Sequence, residues 1–313
     1  MKILLLLFAG LMTPSLCYPQ QNVYSAKVQM AIETYAFLKG QNSALEMIAL
    51  QFPSLKKDVA KTSTVFIRAE QNVERFLKSQ IGEEFTVLQK RIGALLQEQF
   101  KNPIEKEKYA RDFLEKIRHR SRFSSDSMVT KGILSFAYED VPHQEIIDGH
   151  TIIFTTKGHP KAEKTILRVP IPKSWKAEEA EMPETVQQFT SYGGQGTEKI
   201  LIVVYDLTQE DRNLTLSEKS IREMIPPEAK LLRSEPTIID HNPGIITETE
   251  ETLNFSNKKM KIRMLQFMFI EKGKLYCLQG SIGPAEVDTN LEIPLKKYEP
   301  LFRIVASRAN VEN

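Results

Sequence analysis

"KMKIRMLQFMFIEKGKLYCLQGSI", residues Lys259 to Ile282, decides the fold class. Its two halves, "KMKIRMLQFMFIEKG" and "KLYCLQGSI", follow the two-residue period of strands, whose successive side chains point to opposite faces. Lys272-Gly273-Lys274 lies between them as a turn signal. So short a connection joins neighbouring strands antiparallel.

The same period extends outward in both directions. "TIIFTT", "KTILRVPI", "TVQQFTSY" and "KILIVVYDL" alternate upstream, as do "LLRSEPTIID" and "GIITETEETLNF". Asp148-Gly149, Gly193-Gly194-Gln195-Gly196 and Asn242-Pro243-Gly244 punctuate them. "ILSFAYE", Ile133 to Glu139, reads as the first strand of this set. Two helical patterns interrupt the strands, "LSEKSIREMI" and the closing "PLKKYEPLFRIVASRAN". Strands with helices at defined places make an α+β domain, a mainly antiparallel sheet with flanking helices.

Before residue 123 the period is 3.6 residues. "KVQMAIETYAFLKGQ" reads as a helix closed near Gly40, and "NSALEMIALQF" as a second that stops at Phe52-Pro53. Val59, Thr62, Phe66, Ala69, Val73 and Phe76 recur at steps of three and four. Phe85, Leu88, Ile92 and Leu95 do so after Gly82. "PIEKEKYARDFLEKIRHR" starts at Pro103 and places Tyr109, Phe113 and Ile117 on one face. Amphipathic helices separated by close breaks pack on one another, so an N-terminal helical bundle is expected.

"MKILLLLFAGLMTPSLC" has the order of a secretory signal: Lys2, an apolar run from Ile3 to Met12, then Pro14 and small residues. Ser15 and Cys17 suit the −3 and −1 positions, giving a mature chain from Tyr18. The apolar run is about half the ~20 residues that span a bilayer, and Leu16 before Cys17 argues against a lipoprotein. The expected organisation is a signal peptide at 1–17, a helical domain at 18–122, a linker at 123–130 and an α+β domain at 131–313. The mature chain is expected to be exported, periplasmic or secreted, with no transmembrane segment. Loss of Cys17 leaves Cys277 unpaired, and its place in an alternating strand reads as a small buried hydrophobe.

The 313 residues carry a net charge of +2 and 41% hydrophobic content. That composition suits soluble cores and gives no field that would steer nucleic acid. There is no Gly-x-Ser-x-Gly elbow, His-Glu-x-x-His pair, Walker loop or Cys-x-x-Cys. No cofactor is called for. "HQEIIDGH" brings His143, Glu145, Asp148 and His150 into eight residues around an expected turn. Imidazole and carboxylate folded together can suit zinc or another divalent ion, though the spacing is that of no known site. Across a hairpin His143 and His150 would approach; otherwise they point apart. Arg118, Arg120 and Arg122 form a basic cluster that could meet anionic lipid or an acidic partner, or complement a helix C-terminus.

"RVPIPKSWKAEEAEMPETVQQFTSY", Arg168 to Tyr192, holds the single tryptophan. Pro170 and Pro172 bar ladder pairing on one edge of that strand. Trp175 just beyond it either folds back as a plug over the core or offers an edge for docking.

These elements, in this order, resemble the PsbP-like fold from about Met128 onward. The resemblance rests on four features: the "V-x-I-P-x-x-W" segment of Val169, Ile171, Pro172 and Trp175, the strand pair around "GGQG", the mid-domain helix, and a final helix with Tyr298, Phe302, Ile304 and Ser307. Arg308 stands where an aromatic commonly follows the serine. The family has no shared catalytic set, so the resemblance implies a fold and no active-site residues. The resulting expectation is an exported, non-enzymatic binding or accessory protein with an unknown extracytoplasmic protein partner. The alternatives are a hydrolase or metal-dependent enzyme with a site near His143–His150, and a membrane-surface binder through Arg118–Arg122.

Overall fold

A computed structural model describes residues 24–61, 64–162, 165–180, 184–211, 214–227, 229–255 and 258–312. The expected signal at 1–17 lies outside the described residues. The chain divides into two compact units, one ending at Asp140 and one running from Val141.

The first unit is helical: α1 (Ala26–Gln51), α2 (Lys56–Ala60), α3 (Thr64–Ile81), α4 (Glu84–Gln99), α5 (Glu107–Arg120) and α6 (Met128–Ala137). Ser25 caps α1 by accepting from the Val28 N–H at 3.4 Å. The helix then runs straight through Gly40, where two helices were expected. A Cβ at Gly40 would stand 3.6 Å from Leu96 of α4, an ordinary contact, so neither space nor backbone requires glycine there. The stop before Pro53 and the break at Gly82, whose φ is +53°, stand as read. Helix α5 begins at Glu107 rather than Pro103, and Tyr109 is half exposed while Ala110, Leu114 and Ile117 are buried.

The segment read as the strand "ILSFAYE" instead begins as the second half of helix α6, Ile133 to Ala137, and runs on past the helix end. Ser127 caps the helix by accepting from the Thr130 N–H. Every residue from Lys131 to Ala137 is buried. A helix buried all round has no polar face to mark a 3.6-residue period, so its sequence can pass for a strand. Its Gly132 lies where a Cβ would stand 2.1 Å from the Thr34 hydroxyl, which is how α6 reaches α1. Phe136 packs on Phe76 with ring centres 5.5 Å apart.

The second unit holds α7 (Gln144–Ile147), β1 (Thr151–Thr155), β2 (Ile166–Pro172), β3 (Lys176–Glu178), β4 (Thr185–Thr190), the turn α8 (Ser191–Gly194), β5 (Glu198–Asp206), α9 (Glu218–Met224), β6 (Ala229–Ile239), β7 (Asn242–Phe255), β8 (Lys258–Glu271), β9 (Lys274–Glu286), α10 (Glu292–Ser307) and β10 (Asn310–Glu312). Seven strands form one antiparallel sheet in the order β3-β4-β5-β9-β8-β7-β6, and β1-β2-β10 form a second. The α+β class and the antiparallel pairing are as the alternation implied.

Each face of the large sheet carries an apolar cluster. Ile200, Ile202, Phe267, Phe269 and Leu278 face α10 and the small sheet in one cluster. Leu201, Val203, Met264, Met268 and Cys277 face the other way, with Ile221 of α9. Burial pushes the Cys277 thiol up to about 12, so it is inert packing. At Gly280 a Cβ would lie 2.3 Å from the Phe302 ring, so only glycine lets α10 settle on the sheet.

Candidate functional site

The prolines of β2 set up one corner of the second unit. Strand β1 pairs with β2 as far as Ile153–Pro170 and Thr151–Pro172, whereas β10 pairs only with Ile166–Arg168. The ladder therefore ends just before Pro170 on the edge where a proline has no N–H to give.

The chain then turns. The Trp175 N–H donates to the Pro172 carbonyl at 3.1 Å, and the Gly193 N–H donates to the Ser174 carbonyl at 2.8 Å. That second bond comes from α8, where Tyr192 and Gly193 take left-handed φ values of 51° and 60°. The "GGQG" stretch is thus a left-handed turn between β4 and β5.

The strongest clamp is acidic. Glu145 on α7 is 2% exposed. Its carboxylate accepts from the Ser174 backbone N–H and from the Ser174 hydroxyl, each at 2.7 Å. The clamp holds the residue before Trp175. Trp175 itself is 3% exposed and meets Tyr298 of α10 edge-on, ring centres 6.3 Å apart. Tyr298 stacks in turn on Phe302 at 6.1 Å. The Trp175 indole fills the end of the core under α10.

His143, Asp148 and His150 are arranged around the same short helix. His143 is the residue preceding α7, and Asp148 accepts from Gln144 at 2.7 Å. The His150 carbonyl accepts from the Lys173 N–H at 3.0 Å, joining α7 to the end of β2. A helical turn, rather than a hairpin, separates the two histidines. Among the described residues no three of His, Cys, Asp and Glu gather where a metal ion could be held.

In the first unit, Arg118 at the end of α5 pairs with Asp58 at 3.0 Å and with Glu115. Arg120 lies over the Phe37 ring at 5.2 Å. Arg122 is exposed just beyond the helix. Two of the three cations are thus engaged within their own unit.

Sequence reasoning did not find a second polar assembly. Arg233 of β6, Glu248 of β7 and Arg263 of β8 share one face of the large sheet. Arg233 bonds Glu248 at 3.0 Å and Glu299 of α10 at 2.9 Å. Arg263 bonds Glu248 at 2.8 Å, and Arg303 joins Glu299 at 2.8 Å to Glu235 at 2.5 Å. These charges come together only once the strand register is known, so nothing in their spacing announces them.

Burial pushes the Glu299 carboxyl up, but the Arg303 and Arg233 hydrogen bonds outweigh it and hold the group below the ordinary carboxylate range. A carboxylate lowered by folding adds stability above its unfolded value near ~4.3. That stability is lost as pH falls through the lower folded value. Glu299→Gln should therefore reduce stability at pH 7 and shrink the wild-type loss between pH 5 and pH 3, in urea titrations at each pH. Parallel acid profiles of the two proteins would contradict the assignment.

No helix among the described residues is long and apolar enough to cross a membrane. No protein-family model matches the chain, and no curated protein matches its sequence. Among solved structures it is similar to PsbP (CyanoP) of Synechocystis, at 14% identity over 52% of this chain and 93% of that one, with a TM-score of 0.35. It is also similar to LpqN of Mycobacterium tuberculosis, a protein involved in cell envelope biogenesis, at 10% identity over 55% and 98% of the two chains, TM-score 0.32. A Pseudomonas aeruginosa protein of unknown function matches at 12% identity over 51% and 96%, TM-score 0.26. Each of these likenesses covers about half of this chain. The likeness is one of fold alone.

Proposed function

We propose that this chain is an exported, non-enzymatic accessory protein that binds an extracytoplasmic protein partner. The observation that carries this reading is the use made of Glu145. Within the His143–His150 cluster its carboxylate is directed at Ser174. That use of the carboxylate supports a role in holding the fold rather than in chemistry. The order of charge and apolarity at 1–17 supports export.

The test is a mild-crosslinking pull-down from an exported or envelope fraction, with metal analysis of protein purified without chelator. Recovery of one reproducible partner and metal-free protein is expected. A stoichiometric metal lost in the His143→Ala/His150→Ala double variant would replace this reading with a metal-dependent enzyme.

A further inference from the structure

The two sheets of the second unit have four edge strands: β1 and β10 in the small sheet, β3 and β6 in the large one. Three of them are guarded. Strand β6 carries Pro236, a bulge between Leu231 and Arg233, and several charges. Strand β3 is three residues long and includes Lys176 and Glu178. Strand β10 is equally short, and Asp240 takes the Val311 N–H at 2.7 Å and the Asn310 side chain at 3.1 Å. Such devices keep an edge from pairing with another chain.

Strand β1 has none of them. Its sequence, TIIFT, contains no proline and no charge, and its register with β2 is unbroken over Thr151–Thr155. Ile153 is 60% exposed and Ile152 38%. Ile147, close in sequence on α7, is also exposed.

The parity of the ladder says which backbone groups face outward. The His150 carbonyl and the Thr156 N–H bond toward β2. Alternate residues of an antiparallel strand bond to the same neighbour. The N–H and C=O of Thr151, Ile153 and Thr155 therefore point to the free edge. A second copy of β1 running antiparallel, with its two-fold axis at Ile153, matches this set. Ile153 would exchange both bonds with the partner's Ile153, and Thr151 with the partner's Thr155. Ile152 would lie beside the partner's Phe154 on the same face, so the core side of one sheet continues into the other.

The charges agree with that register. Asp148 precedes the strand and Lys157 follows it, both exposed. The two-fold places Gly149 opposite the partner's Lys157, with Asp148 adjacent. Each acidic start thus meets a basic end, as an isologous contact requires.

We infer that β1 is a self-association edge, and that the partner it fits is a second copy of this chain, forming one continuous sheet across a two-fold axis. The inference does not depend on the accessory role proposed above. The experiment is sedimentation velocity on the full mature chain across the micromolar range. Wild type should shift from monomer to dimer. Ile153→Pro removes an outward N–H that the monomer's ladder does not use, and should weaken dimerisation about tenfold or more with circular dichroism unchanged. Lys157→Asp should weaken it as well, and adding Asp148→Lys should restore it. A wild type that stays monomeric, a dimer indifferent to Ile153→Pro and Lys157→Asp, or assembly beyond a dimer would each overturn the inference.

Discussion

Trp175→Ala should lower the free energy of unfolding by about 3–5 kcal/mol, the range for deleting a large buried aromatic side chain. The value follows from burial: the indole is 3% exposed and its edge contact with Tyr298 joins β2 to α10. Trp175→Phe keeps an aromatic ring against Tyr298 and leaves a smaller cavity, so it should cost roughly half as much. Urea unfolding followed by far-ultraviolet circular dichroism measures both. A loss under about 1 kcal/mol for the alanine variant would mean that the side chain is not part of the core.

The second large effect belongs to Glu145. Glu145→Ala removes the acceptor for two buried Ser174 donors, and hydrogen bonds to a charged group are worth about 1.5 kcal/mol or more each. A loss near 3 kcal/mol is expected. Glu145→Gln should recover much of it, because the amide oxygen can accept the Ser174 N–H while the amide nitrogen donates to the Ser174 hydroxyl. A metal ligand behaves otherwise, since an amide is a much poorer ligand than a carboxylate for a divalent ion. Stability that falls as far in the glutamine variant as in the alanine variant would contradict the clasp.

Much of this fold was legible because one face of most elements is polar. The alternation of Lys259–Ile282 marked strands β8 and β9, and Pro170 and Pro172 marked which edge of β2 would lose its ladder. Where the polar face is missing the reading failed: α6 is buried on all sides, and its residues passed for a strand. Gly40 misled for a different reason. A glycine inside a helix costs only about 1 kcal/mol relative to alanine, so a long helix carries one without ending there.

The candidate site was half legible. Chain order put Glu145 among histidines, but its partner Ser174 is distant in sequence, so the pairing needed the fold. The Arg233–Glu248–Arg263 assembly needed the strand register as well. Trp175 was read as either plug or docking edge, and its contact with Tyr298 favours the plug.

The Glu145–Ser174 clasp seats Trp175 as the plug of the second unit. Because Trp175 is the chain's single tryptophan, acrylamide quenching of its fluorescence tests this directly. Blue-shifted emission and weak quenching are expected in the native protein, with the indole becoming freely quenched only on unfolding. Red-shifted emission and ready quenching of the native protein would contradict it.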